Sequence, residues 1–275
     1  MSNIVLFDMD GTLTLARKKI DNRMINSIIE LLNYSDVGIV TGSGLDYLDE
    51  QCEALWNNDN FTPGKNGQSN LILFPCNGTK MLKRKNDKWL LSYERNMKDE
   101  LGEESISIIL KGLLKLQVKY VNDYFRKSPI TGHFISSRGS LINWCPIGRS
   151  ASDEDREVFL KIDKKYNIRL DLRDQITAWL LSNSVMGITV ALGGDTSLDI
   201  YPAGWDKTHV FNNLSNDINA WFVGDRCRGT GNDRLIYEKL LPLGKSFQTS
   251  GPDETIDIVY DKIIPAVKNE NWIRH

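Results

Sequence analysis

Asp8 and Asp10 stand two residues apart in the run Ile4-Val5-Leu6-Phe7-Asp8-Met9-Asp10-Gly11-Thr12, where an apolar stretch meets a glycine turn. Two carboxylates placed this way can divide a phosphoryl transfer beside a divalent cation. One attacks phosphorus while the other carries a proton. Ile4 to Phe7 reads as a buried strand, and its carboxyl end is where open α/β sheets place ligands. Asp-x-Asp-Gly is also ordinary turn chemistry, because Asp bonds its own backbone and Gly supplies positive φ. Distant partners must decide between the two readings.

Such partners follow. Val37 to Val40 is a second apolar strand ending in Thr41-Gly42-Ser43, and Ala220 to Val223 is a third ending in Gly224-Asp225. Parallel strands of one sheet bring their carboxyl ends to the same edge, so Asp8, Asp10, Thr41, Ser43 and Asp225 are expected to meet there. Oxygen-rich surroundings of this kind suit Mg²⁺. Asn232 and Asp233 lie just past the turn Gly229-Thr230-Gly231, where they can orient the waters of the metal or cap the next helix. Clustered carboxylates need a fixed cation to keep a nucleophile ionised. Lys207, at the start of a helix in Gly204-Trp205-Asp206-Lys207-Thr208, is the candidate, although a lysine there is more often solvated.

The elements that would position these groups alternate. Asn22 to Asn33 and Asp46 to Trp56 have helical apolar spacing and follow the first two strands, an order that argues for a parallel sheet. Beyond residue 70 the rhythm changes. Leu71 to Phe74 is a strand, and Thr79 to Leu82 and Trp89 to Leu91 flank a charged turn from Lys83 to Lys88. Ser105 to Tyr124 is a long amphipathic helix. Gly132 to Ile135 and Ser140 to Trp144 pair as a hairpin through Arg138-Gly139, and polar alternation along the second strand either turns Asn143 toward the site or serves hairpin packing. The last third returns to α/β order, with a helix over Asp233 to Leu240, a strand over Ser246 to Thr249 and a final helix from Glu254. The expected organisation is a discontinuous catalytic core, 1–81 and 203–275, around an inserted domain over 82–202.

At 275 residues the chain exceeds the usual single-domain length of roughly 100–150. The balance of 34 Lys plus Arg against 36 Asp plus Glu offers no global pull toward nucleic acid or an anionic membrane. The four cysteines are scattered without metal spacing and read as reduced packing residues. The first strand begins almost at once, which argues against a signal peptide. No apolar run approaches the roughly 18 residues of a span, so the expectation is a cytoplasmic protein.

Asp8-x-Asp10-Gly-Thr, Thr41 to Ser43, Lys207, and Gly224-Asp225 with Asn232-Asp233 match, in order, the motifs of the haloacid dehalogenase superfamily. More narrowly, the chain resembles the eukaryotic-type phosphomannomutases through Phe7 to Ile20, Pro146-Ile147-Gly148-Arg149-Ser150, and Gly193-Gly194 through Ser197-Leu198-Asp199-Ile200-Tyr201-Pro202 to Lys207. The resemblance implies an α/β fold with a Rossmann-like parallel-sheet core and an inserted α+β cap. It implies interconversion of mannose 6-phosphate and mannose 1-phosphate, through an aspartyl phosphate and a hexose bisphosphate. Asp8 would be the nucleophile and Asp10 the general acid and base. Mg²⁺ would sit on Asp8, the Asp10 carbonyl and Asp225, with Asn232 beside them. Arg17, Arg138, Arg149, Ser197 and Asp199 would hold the sugar and its distal phosphate, with Asn143, Thr41 and Ser43 also binding substrate. Guanidinium forks suit that anionic end. A hexose 1,6-bisphosphate activator and a homodimer through the caps are implied as well.

Two departures stand out. A family arginine before the Gly-x-Phe pattern is Thr131 here, and an acid of a second family cation site is Lys239, so that second site is expected to be absent. Two other readings remain open. A sugar-phosphate phosphatase would use the same nucleophile with water as acceptor, but has less reason to keep Arg17, Arg138 and Arg149. A non-catalytic phosphosugar-binding protein would have no need of an intact Asp8.

Overall fold

The computed structural model describes residues 2–65, 68–85, 88–215 and 217–272. In chain order the first elements are β1 (Asn3–Phe7), α1 (Asn22–Leu31), β2 (Asp36–Val40), α2 (Leu45–Trp56), β3 (Leu71–Phe74), β4 (Lys80–Lys85) and β5 (Lys88–Glu94). Then come α3 (Met97–Tyr124), β6 (Ile135–Ser137), β7 (Ile142–Trp144), α4 (Asp153–Tyr166), α5 (Ile168–Ser182), β8 (Ile188–Gly193) and β9 (Ser197–Pro202). The chain closes with β10 (Asn219–Gly224), α6 (Arg234–Leu240), β11 (Ser246–Gln248), α7 (Pro252–Ile258) and α8 (Ile264–Trp272).

Two compact units result, Met1–Glu94 with Asp206–His275, and Arg95–Trp205. The first is built on a sheet of order β11-β10-β1-β2-β3-β4-β5, parallel from β11 to β3 and antiparallel at β4 and β5. Helices cover both faces, so β1 must be apolar on both sides. Val5 and Phe7 pack into one core with Met24, Ile28 and Leu48, whereas Ile4 and Leu6 point the other way toward Val210, Phe222 and Ile236.

The rhythm of the sequence puts the inserted domain at 82–202. The hairpin β4–β5 instead pairs with β3 through Ile72 to Lys83 and Leu73 to Leu82, and so extends the first unit's sheet as far as Glu94. Cross-strand pairing, which no local pattern encodes, makes that assignment. Part of the charged turn expected at 83–88 lies outside the described residues.

The second unit has an antiparallel sheet of order β6-β7-β9-β8. Its helices α3 and α5 cross at Gly112, where an added Cβ would lie 2.3 Å from the Trp179 ring. Trp179 Nε1 also donates to the Ile108 carbonyl at 3.0 Å. The expected strand at 132–135 begins only at Ile135, because Gly132 (φ 108°) and His133 (φ 56°) take left-handed conformations that a strand cannot hold. The helix expected from Ser105 starts at Met97 and is broken at Gly102 (φ 78°). Among the described residues no helix is long and apolar enough to cross a membrane.

Candidate active site

β1 and β10 run in parallel register, Phe7 beside Val223, and Asp8 N donates to the Val223 carbonyl at 3.0 Å. Asp8 and Asp225 therefore leave neighbouring strand ends together. Gly11 permits the close approach. Its φ is +83°, and a Cβ there would stand 2.4 Å from Asp225 Oδ2.

Lys207 sits between the acids. Asp206 caps the short helical turn Lys207–Asn213, accepting from Thr208 N at 2.8 Å, and this orients the preceding turn of chain. The lysine is 1% exposed; Nζ donates to Asp8 Oδ1 and, at 2.5 Å, to Asp233 Oδ1. Asp233 is fully buried, and its Oδ2 accepts from Arg226 N at 3.0 Å. The solvated lysine favoured by base rates is thus not the one present.

Oxygen atoms of Asp8, Asp225 and Asp233 all lie within 4.8 Å of one another. One ammonium against three carboxylates leaves the cluster net negative. Burial, then Asp233, push the Asp8 carboxyl well above the usual carboxylate range, against the pull of Lys207. Asp225 is pushed up to about 6, by burial first and Asp233 next. Burial would lower Lys207, but Asp233 and Asp8 outweigh it and hold the ammonium protonated.

The donor set suits a hard cation. It is all oxygen, and Asp225 Oδ1 is buried with no hydrogen-bond partner among the described residues. Both Asp233 oxygens are engaged, which leaves Asp8 and Asp225 as the direct donors. Asn232 is exposed, while its neighbour Asp233 is buried inside the cluster. α6 starts at Arg234, and Asp233 makes no side-chain cap of that helix, since Lys207 and Arg226 take its oxygens.

The Asp10 side chain also stands apart from the cluster. Its Oδ1 accepts from Arg17 N at 2.9 Å, Gln51 Nε2 at 3.2 Å and Tyr47 OH at 3.5 Å. Gln51 is held in turn by Thr14 Oγ1 at 2.6 Å. Tyr47 and Gln51, one turn apart on α2, carry no motif of their own; their i, i+4 spacing on the helix that follows Thr41 to Ser43 is the only sequence signal for them. Arg17 is exposed, with a left-handed backbone (φ 61°) that aims its amide at Asp10. Thr41 is buried, with Oγ1 accepting from Ser43 N at 3.1 Å, which closes the turn after β2.

The second unit gathers another polar group. Register pairs Asn143 on β7 with Asp199 on β9, and Asn143 Nδ2 donates to Asp199 Oδ1 at 2.7 Å. Arg149 NH1 donates to Asn143 Oδ1 at 3.1 Å. Burial raises the Asp199 carboxyl, while the charge of Arg138, the Asn143 hydrogen bond and the charge of Arg149 pull it back. Gly193 lets Asp199 in, for a Cβ there would meet its carboxylate at 2.5 Å. Ser197, paired with Gly193, is buried at the start of β9. Thr131 Oγ1 donates to the Ile147 carbonyl at 3.0 Å, and Lys239 lies 5.1 Å over the Phe211 ring.

A Rossmann-like parallel sheet with this acid cluster at its strand ends, interrupted by an α+β unit, is the fold of the haloacid dehalogenase superfamily. Similarity to the IMP-nucleotidase of Plasmodium falciparum extends over 94% of this chain and 67% of that one, at a TM-score of 0.62 and 16% identity, a likeness of fold. The sequence profile of the eukaryotic phosphomannomutases matches residues 24–264. A Dendrobium officinale phosphomannomutase is 35% identical over 92% of this chain and 91% of its own length, and that of Glycine max is 33% identical over 92% and 93%. The chain belongs to the eukaryotic phosphomannomutase family and is an enzyme of phosphoryl transfer.

Proposed function

We propose that this enzyme interconverts mannose 6-phosphate and mannose 1-phosphate, with Asp8 as the nucleophile. The observation that supports a mutase over a phosphatase is the second polar cluster, in which Arg149 bonds the buried Asn143–Asp199 pair and the charge of Arg138 also acts on Asp199. A substrate with two anionic ends calls for such a clamp, whereas hydrolysis at one end does not.

Phosphorylated Asp8 passes its phosphoryl group to a hydroxyl of the hexose monophosphate, and Asp10 takes the proton of that hydroxyl. The bond between phosphorus and the Asp8 oxygen breaks as the new ester bond forms. The resulting bisphosphate turns end for end. Asp8 then attacks the other phosphorus, and Asp10 returns its proton to the departing sugar oxygen. Three donors on Asp10 Oδ1 hold that carboxyl in place, and Oδ2 is the oxygen assigned to carry the proton. Lys207 orients Asp8, Thr41 and Ser43 meet the transferring group, and Arg17, Ser197 and Asn143 contact the sugar phosphate. Mg²⁺ held by Asp8 and Asp225, with the Asp10 carbonyl, would offset the acid cluster and polarise the phosphoryl oxygens. A hexose 1,6-bisphosphate serves as activator by charging Asp8.

The enzyme is assigned to the cytoplasm, where its four free, buried cysteines stay reduced. It is assigned a homodimeric state through the second unit, supported by Leu114 and Val118 on α3 and Phe125 just past its end, each more than half exposed.

Incubation with Mg²⁺, mannose 1-phosphate and a trace of hexose 1,6-bisphosphate, following mannose 6-phosphate and free phosphate together, tests the reaction. Mannose 6-phosphate is the expected main product. Inorganic phosphate in its place would mark a phosphatase, and activity retained by Asp8→Asn would refute the nucleophile.

A further inference from the structure

Arg156 lies on α4, outside the polar cluster of the second unit, yet its guanidinium reaches the two segments that build it. Nε donates to the Ala151 carbonyl at 3.3 Å, NH2 to the Arg149 carbonyl at 3.2 Å, and NH1 to Thr196 Oγ1 at 2.7 Å. Thr196 is 1% exposed and immediately precedes Ser197. One side chain thus ties the backbone of Arg149 to the β8–β9 turn from which Ser197 and Asp199 depart.

The same turn is held a second time. Arg169 on α5 donates from NH1 to the Gly194 carbonyl at 3.1 Å, while Asp163 binds its Nε at 2.7 Å. That pair is largely buried, at 12% and 11% side-chain exposure, which makes it a firm anchor. Within the cluster, Arg149 and Asp199 both bond Asn143, a side chain that by itself fixes no backbone. A planar guanidinium fork holds several acceptors in one geometry, as a lysine cannot.

We propose that Arg156 is a positioning residue for the sugar-phosphate site: by locking the Arg149 carbonyl to Thr196, it preorganises the Arg149 guanidinium for the distal oxyanion. The inference rests on reading the second unit as the binder of that anionic end. Arg156 itself does not touch substrate. Its loss therefore weakens ground-state and transition-state binding alike, a change in KM rather than in kcat.

The test compares wild type, Arg156→Gln and Arg156→Lys in two reactions: mannose 1-phosphate conversion with glucose 1,6-bisphosphate, and hydrolysis of p-nitrophenyl phosphate. Melting midpoints are recorded for all three. Both variants are expected to raise KM for mannose 1-phosphate by roughly 10-fold, the loss that follows when a charge-assisted contact to the distal anion is weakened equally in ground and transition state. The kcat stays within about twofold, and hydrolysis of p-nitrophenyl phosphate, which lacks a second anionic end, is unchanged. An unchanged KM in a folded variant overturns the inference and leaves the proposed function standing. Parallel losses in kcat, p-nitrophenyl phosphate hydrolysis and melting midpoint overturn it too, because they assign Arg156 to stability alone. A wild-type protein that converts no mannose phosphate removes the functional reading and this inference together.

Discussion

Lys207 concentrates the energetics of the first unit in one side chain. It is buried, with Asp8 and Asp233 as partners, so removing it leaves two carboxylates desolvated and uncompensated. Breaking a buried ion pair from one side costs about 3–5 kcal/mol. Lys207→Met is therefore expected to lower stability by roughly that amount in urea denaturation and to abolish turnover, with Asp233→Asn in the same chain restoring part of the stability but no activity. A double variant no more stable than the single one would show that Asp233 is not the strained partner.

Asp225 supplies a pH prediction at the same scale. Its carboxyl, pushed up to about 6, holds a proton below that pH and must release it to bind a cation. Apparent Mg²⁺ affinity should fall as pH drops through about 6, by up to tenfold per unit for one released proton. The sign follows from the raised value: the metal-free folded state favours the protonated acid, so this carboxyl adds stability at low pH that is lost as pH rises toward 6. Calorimetric titration with Mg²⁺ between pH 5 and 8 checks the affinity, urea denaturation of the metal-free protein between about pH 4 and 7 checks the stability, and a flat affinity would refute the assignment of Asp225 as a ligand.

At the scale of elements, the helix crossing in the second unit depends on the missing side chain of Gly112. A Cβ there would meet Trp179 Cδ1 at 2.3 Å and Ile176 Cδ1 at 2.7 Å. Overpacking of this kind costs about 1–3 kcal/mol. Gly112→Ala should lower the unfolding midpoint by that measure in a denaturant titration followed by tryptophan fluorescence, despite the better helix propensity of alanine. A neutral or stabilised variant would mean that α3 and α5 are free to separate. Gly11 is the corresponding point in the first unit, where the turn after β1 and the carboxylate of Asp225 occupy the space of a side chain.

At the scale of the whole molecule, Arg95–Trp205 is a continuous segment with its own sheet, helices and buried Phe159, Ile176 and Trp144, while the first unit is assembled from two stretches. A continuous segment with its own core can fold alone. Residues 95–205 expressed by themselves are expected to give a helical circular-dichroism spectrum and a cooperative thermal transition. A non-cooperative melt would show that its core depends on the remainder of the chain.

The residues Asp8, Asp10, Lys207 and Asp225 and the α/β alternation around them were legible in the sequence, because strand runs and polar strand ends are local patterns. Tertiary structure alone decided which acids meet. Asp233 joins Lys207 in the interior while Asn232 faces outward, and Asp10 turns to Tyr47 and Gln51, since those outcomes depend on the register of β1 with β10 and the placement of α2. The brace from Arg156 to Thr196 spans forty residues, and the hairpin β4–β5 joins the first sheet by pairing with β3. Contacts between distant segments have no local signature, so composition and spacing name the chemistry, and packing chooses the partners.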